Sequence, residues 1–258
     1  MFEIRQLSYT CNGQVLLQPM DVKLRSGQIH VLLGENGAGK STLLRCLSGA
    51  LHTMQGEVLL DGKLLTEWSL PELAKKRAHL GQRQENAFAF SVRQLVALGL
   101  EVQGPGKQDD SQLQEILHCF DLHDLAERSI STLSGGELQR AHFARTIAQI
   151  WPTESHGEQR FSGKWLLLDE WYAGLDLKHQ ISLLRKMKQW CHEGLSIVMV
   201  VHDLHLAQAL ADRCLLLKNG ELLFYGSAQE ALQPDRLRQL LEVEVHVDNE
   251  QGYLRVDF

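Results

Sequence analysis

No apolar stretch in these 258 residues approaches the eighteen or so needed to cross a bilayer. The richest run, 197–201, gives way at once to His202 and Asp203. There is no surplus of positive charge either: 26 Lys and Arg stand against 32 Asp and Glu, a formal −6. A general nucleic-acid binder carries a basic surplus, so no nucleic-acid partner is expected. Cysteine is sparse and unpatterned. Cys11, Cys46, Cys119, Cys191 and Cys214 are odd in number, widely spaced and without a CxxC, which favours free buried thiols over a disulfide framework or a zinc site. The 12 histidines scatter without metal-cage spacing. Met1-Phe2-Glu3-Ile4-Arg5 lacks the charged-then-apolar pattern of a secretion signal. Internal repeats and low-complexity segments are missing too. What is present is ordinary: 44% apolar and 22% charged residues, suited to a soluble globular domain with one full core.

Periodicity sketches the organisation. Strand patterns at 4–10 and 15–23 flank Asn12-Gly13, a hairpin signal. Asp61-Gly62 and Asn219-Gly220 mark two more hairpins. The compact apolar runs 29–33, 165–168 and 197–201 read as buried strands, and a short strand is expected near 79–81. Helical patterns cover 40–49, most of 91–150, 181–191 and 230–241. Residues 152–164 read as a surface loop, and strands at 243–247 and 253–258 close the chain. Buried strands alternating with helices predict an α/β fold with a mostly parallel core sheet.

Gly34-Glu35-Asn36-Gly37-Ala38-Gly39-Lys40-Ser41, followed by Thr42, fits GxxxxGK[ST] between a buried strand and a helix. Glycines let the backbone curl so that successive amides point at phosphate oxygens, and the helix N-terminus adds positive potential. Lys40 is suited to reach the outer phosphates and the Ser41 hydroxyl to ligate Mg²⁺. The four fixed positions recur by chance on the order of once per hundred chains this long. A second apolar strand ends in Asp169-Glu170. Asp169 suits the metal, directly or through water, and Glu170 suits polarisation of an attacking water. Alone, that pair would read as two surface acids.

Leu133-Ser134-Gly135-Gly136-Glu137-Leu138-Gln139-Arg140 lies between these two elements. A Ser-Gly-Gly turn opening a helix presents amides and a hydroxyl to an anion. The stretch resembles the LSGGQ signature of ABC-type ATPases, with Glu137 in place of the usual Gln, and the resemblance spans nearly the whole chain. It implies a P-loop NTPase fold with an N-terminal antiparallel β subdomain and an α-helical subdomain. A single domain over 1–258 is expected: a core from 1–82 and 151–230, a helical subdomain at 83–150, and an extension at 231–258. The resemblance further implies that Tyr9 stacks on adenine, that Gln82 contacts Mg²⁺ from the Q-loop, and that His202 is the switch histidine. Asp176 becomes the D-loop aspartate. ATP would be held by the glycine-rich loop of one subunit and by Ser134, Gly135, Gly136 and Glu137 of the other, in a head-to-tail homodimer.

The family has Pro-Thr or a similar pair after the catalytic Glu; here stand Trp171-Tyr172. These aromatics are expected near the subunit interface, where they alter dimer closure. The stretches 87–92, 175–180 and 211–213 are similar to ATPases that import haem, ferric siderophores or cobalamin, haem above all. That implies two transmembrane permease subunits, a periplasmic substrate-binding protein acting indirectly, and a peripheral place on the cytoplasmic face of a bacterial inner membrane. Phe88 and Phe90 either dock a permease helix or pack in the core. The alternative is a soluble, non-transport ABC ATPase of cofactor or iron–sulfur assembly.

Overall fold

Alternating burial along the first strands, with Phe2, Ile4, Leu7, Leu17, Met20, Val22 and Leu24 inward, is what lets them pair with one face on a core. In the computed structural model β1 (Phe2–Cys11) and β2 (Gln14–Leu24) form the hairpin expected around Asn12-Gly13. The wholly buried β3 (Ile29–Leu33) feeds the glycine-rich loop and α1 (Lys40–Leu47). Then come β4 (Gln55–Leu60) and β5 (Lys63–Leu64). Next are α2 (Leu70–Lys76), β6 (Arg77–Leu80), α3 (Val92–Glu101), α4 (Asp110–Cys119), α5 (Gly135–Ala148), β7 (Trp165–Leu168) and α6 (Leu177–His192). The chain continues through β8 (Ser196–Val200), α7 (Leu204–Leu210), β9 (Arg213–Lys218), β10 (Glu221–Ser227), α8 (Ala228–Ala231), α9 (Pro234–Leu241), β11 (Val245–Asp248) and β12 (Tyr253–Val256). The structure describes residues 1–51, 55–81, 90–104, 110–152, 157, 159–242, 245–248 and 253–256.

Two units form: Met1–Glu67 with Ser196–Phe258, and Trp68–Leu195. In the first, an antiparallel sheet runs β2-β1-β4-β5. Beside it, β3 lies between β8 and β9, parallel to both, and β10 adds an antiparallel edge. Strands buried on both faces need near-continuous apolar sequence, which β3 and β8 have. In the second unit β6 and β7 pair in parallel, and α3 packs on α4 and α5.

Several expectations need correction. Helix α6 starts at Leu177 rather than 181, because Asp176 caps it and adds a turn. The helix expected over 230–241 breaks into α8 and α9. Gln233 precedes Pro234 and is forced to extended backbone, ψ 144°. Phe161, inside the expected surface loop, is fully buried between Trp151 and Trp190, with ring centroids 5.7 and 6.0 Å away. All five cysteines are free, but Cys11 is exposed. Burial pushes the thiols of Cys46 and Cys214 up, to about 11 and about 12. Among the described residues no helix is long and apolar enough to cross a membrane.

Candidate functional site

The glycine-rich loop leaves β3 at Gly34, where β9 crowds the backbone: a Cβ there would overlap the Leu217 carbonyl oxygen. Only glycine fits that position, at φ 154°. Glu35, Asn36 and Gly37 are exposed, Ala38 is buried, and the chain enters α1 through Gly39. No side chain caps α1 and no acid sits in its first turn, so neither offsets the positive potential of its N-terminus. Lys40 is buried and curls into the loop, Nζ donating to the Gly34 and Glu35 carbonyls at 2.7 Å each. Ser41 is exposed on the first turn and Thr42 half-buried.

In the same unit β8 ends beside the loop, because it runs parallel to β3; the Val201 amide donates to Leu32 O at 3.3 Å. His202 follows and is exposed. Asp203 caps α7 by accepting from the His205 and Leu206 amides, which fixes the exit of the chain just after His202. Tyr9 is half-buried on β1 and pairs with Leu17 of β2, whose side chain approaches Gly39. A cavity of about 800 Å³ opens elsewhere in this unit, lined by Arg5, Lys23, Arg25, Arg213 and Tyr225, and Tyr9, Lys40, Ser41 and His202 are not in its lining.

In the second unit, the Asp169 amide donates to Leu80 O at 2.9 Å, extending the β6–β7 ladder into the acidic pair. Asp169 is buried and Glu170 half-buried. Glu170 takes φ 48°, left-handed backbone that costs a non-glycine residue about 1 kcal/mol. Gln82 lies outside the described residues, as does Phe88. Phe90 is half-buried, and its carbonyl accepts from the Ile130 amide at 2.9 Å.

Ser134 opens α5 through a capping box. Its hydroxyl accepts from the Glu137 amide, while Glu137 Oε2 accepts from the Ser134 amide and hydroxyl at 2.8 Å each. These bonds hold the exposed Glu137 carboxyl below the usual carboxylate range. Gly135 is exposed and Gly136 half-buried. Asp176 caps α6, accepting from the His179 amide at 2.9 Å and facing His179 Nδ1 at 2.8 Å; the same contacts keep its carboxyl low.

Two residues here escaped the sequence: Gln139 and Phe143, which contact the segment after Glu170. The spacing of Gly136, Gln139 and Phe143 (i, i+3, i+7) marks one helix face and was the available signal. Trp171 is fully buried against Phe143, while Tyr172 is half-buried.

Each unit presents one oxygen donor of the kind a hard divalent cation takes: the exposed Ser41 a hydroxyl in the first, the buried Asp169 a carboxylate in the second.

The family model described as ABC transporter matches residues 17–151, half of the chain. This chain belongs to the ABC transporter family. Among its ABC transporter relatives, the hemin import ATP-binding protein HmuV of Pseudomonas aeruginosa is 39% identical over 98% of each chain. The protein of the same name from Escherichia coli O157:H7 is 39% identical over 96% of this chain and 94% of its own. Solved structures share the fold. The ATP-binding subunit of an ABC transporter superposes with TM-score 0.78 at 20% identity, covering 95% of each chain. A metal-chelate type ABC transporter in an inward-facing conformation gives 0.76 at 23% identity, over 100% of this chain and 97% of that one. The expected α/β P-loop fold with an N-terminal antiparallel sheet is therefore the fold of this ABC transporter chain.

Proposed function

We propose that this chain is the ATP-hydrolysing subunit that powers haem import through a membrane permease. The carrying observation is the near-full-length similarity to two hemin import ATP-binding proteins. In this reading Tyr9 stacks on adenine. The amides of the loop from Gly34 to Ser41, with Thr42, grip the phosphates. Lys40 Nζ leaves the Gly34 and Glu35 carbonyls and turns to the outer phosphates, so the loop exchanges an internal cation for its substrate. Ser41 and Asp169 would hold Mg²⁺, with Gln82 as a further ligand. When bound, that ion supplies neutralisation of charge on the β- and γ-phosphates.

Glu170 orients the attacking water and accepts its proton, and His202 contacts the γ-phosphate. Ser134, Gly135 and Gly136 act on the nucleotide of a second copy of the chain in a head-to-tail homodimer, with Asp176 at the D-loop. To do so Ser134 must trade its capping-box partner Glu137 for phosphate oxygen. The chain then sits peripherally on the cytoplasmic face of the inner membrane, held by two permease subunits that a periplasmic binding protein serves.

Glu170→Gln is expected to bind ATP, lose turnover by at least a hundredfold and accumulate as a closed dimer in size-exclusion chromatography with ATP. Wild-type turnover in that variant would overturn the role of Glu170. Co-purification with a polytopic membrane protein, and loss of growth on haem iron when the chain is deleted, test the importer reading. Fractionation with a soluble scaffold would support an assembly ATPase instead.

A further inference from the structure

The segment that follows Glu170 is built unlike the small-residue pair its motif leads one to expect. Trp171 has no exposed surface. Its ring meets Phe143 of α5 edge-on, centroids 6.2 Å apart and planes at 85°, and meets Tyr172 at 5.4 Å and 80°. The Trp171 carbonyl accepts from Gln139 Nε2 at 3.0 Å. One helical turn earlier, a Cβ on Gly136 would stand 3.0 Å from the Gly174 carbonyl oxygen, so a side chain there would press on the 171–174 segment. Gly136, Gln139 and Phe143 occupy three successive turns on one face of α5, and all three engage 171–174. That segment is itself tight, because the Ala173 amide donates to Glu170 O and the Leu175 amide to Tyr172 O, both at 3.1 Å. Glu170, in left-handed backbone, is thus clamped between the β6–β7 ladder and an indole packed on the signature helix.

We infer that Trp171 is a positioning residue: with Gln139 and Phe143 it fuses the Glu170 turn to the helix that carries Ser134, Gly135 and Gly136. A packed aromatic cannot slide continuously, so a shift at one end moves the other. A Pro or Thr at 171 would lack the area to reach Phe143. The inference rests on the proposed roles of Glu170 and the Ser-Gly-Gly turn. Under those roles Glu170 serves the chain's own nucleotide and the turn serves the partner's. Trp171 therefore couples the two sites through the body of one subunit.

The test is steady-state ATPase on the full-length chain with the ATP dependence fitted for kcat, KM and Hill coefficient. Binding of trinitrophenyl-ATP is measured alongside. Trp171→Ala is expected to lower kcat about tenfold or more and bring the Hill coefficient towards 1, with binding unchanged. Trp171→Phe keeps an edge on Phe143 and is expected to restore kcat to within about threefold. Gln139→Ala, which removes only the hydrogen bond, is expected to lower the Hill coefficient without lowering the melting temperature. A purely structural tryptophan would lower the melting temperature and leave cooperativity intact. A Hill coefficient unchanged in Gln139→Ala, or a Trp171→Ala protein that folds with wild-type kcat and cooperativity, overturns the inference. Glu170→Gln run in parallel separates the failures: if it retains turnover the reading of the site fails, and if it alone loses turnover only the coupling fails.

Discussion

Glu137 shows how one substitution divides a residue between two tasks. As the third residue of α5 its carboxylate completes the capping box with Ser134, a part that glutamine also plays. As a permanent anion beside a turn proposed to receive phosphate, it opposes that phosphate. Glu137→Gln should keep the cap and lower the KM for ATP by about two- to fivefold, the scale of one exposed charge pair. An unchanged KM with an unchanged melting temperature would argue that the turn never meets an anion. The motif residues were legible because Lys40 and Ser41 end the glycine-rich loop that leaves β3, while Asp169 and Glu170 stand where β7 stops. What sequence did not give was the loop's resting arrangement, in which Lys40 spends its charge on two carbonyls. Those partners are backbone atoms, and any sequence supplies them.

Helix starts carry much of the element-scale specification. Ser69-Glu72, Ser91-Gln94, Ser134-Glu137 and Ser227-Glu230 all form capping boxes. Each satisfies amides that would otherwise have no intrahelical partner. Ser91→Ala should therefore cost about 1 kcal/mol in urea unfolding. A loss below the error of the measurement would mean that water caps α3 equally well. The hairpins at Asn12-Gly13, Asp61-Gly62 and Asn219-Gly220 formed where their turn residues stood, since such turns are decided within a few residues. The helix expected through 233 failed for an equally local reason, the proline that follows. The burial of Phe161 had no local cause. Trp190 lies in a helix well beyond it in sequence, and only folding brings that helix to Phe161 and Trp151.

For the whole molecule, two histidines set a pH dependence. Burial pushes His30 and His142 down to about 4. In the unfolded chain they take up protons near pH 6.5. Between pH 6.5 and 4 the unfolded state binds more protons, so stability falls as pH falls, by about 2 kcal/mol per histidine at pH 5. The exposed carboxylates held low, Glu137 and Asp176 among them, act in a lower window, as pH drops below their unfolded values. Neither ring nitrogen of His142 has a hydrogen-bond partner, so phenylalanine should be accepted there. His142→Phe should remove about half of the stability lost between pH 7 and pH 5 in urea titrations. An unaltered pH slope would show that this imidazole does not titrate with folding.

The sequence by itself determined the glycine-rich strand–loop–helix, the acid-tipped strand, the Ser-Gly-Gly turn and the hairpins, because each is encoded within about ten contiguous residues. It determined the family as well, through the order of those pieces along the chain. Only the tertiary structure decided where Trp171 goes. A tryptophan just past an acid-tipped strand fits a surface or a core equally. The choice falls to Phe143 and Gln139, some thirty residues away in sequence, whose helix turns one face to it. Burial of that ring depends on a neighbour that no local pattern specifies.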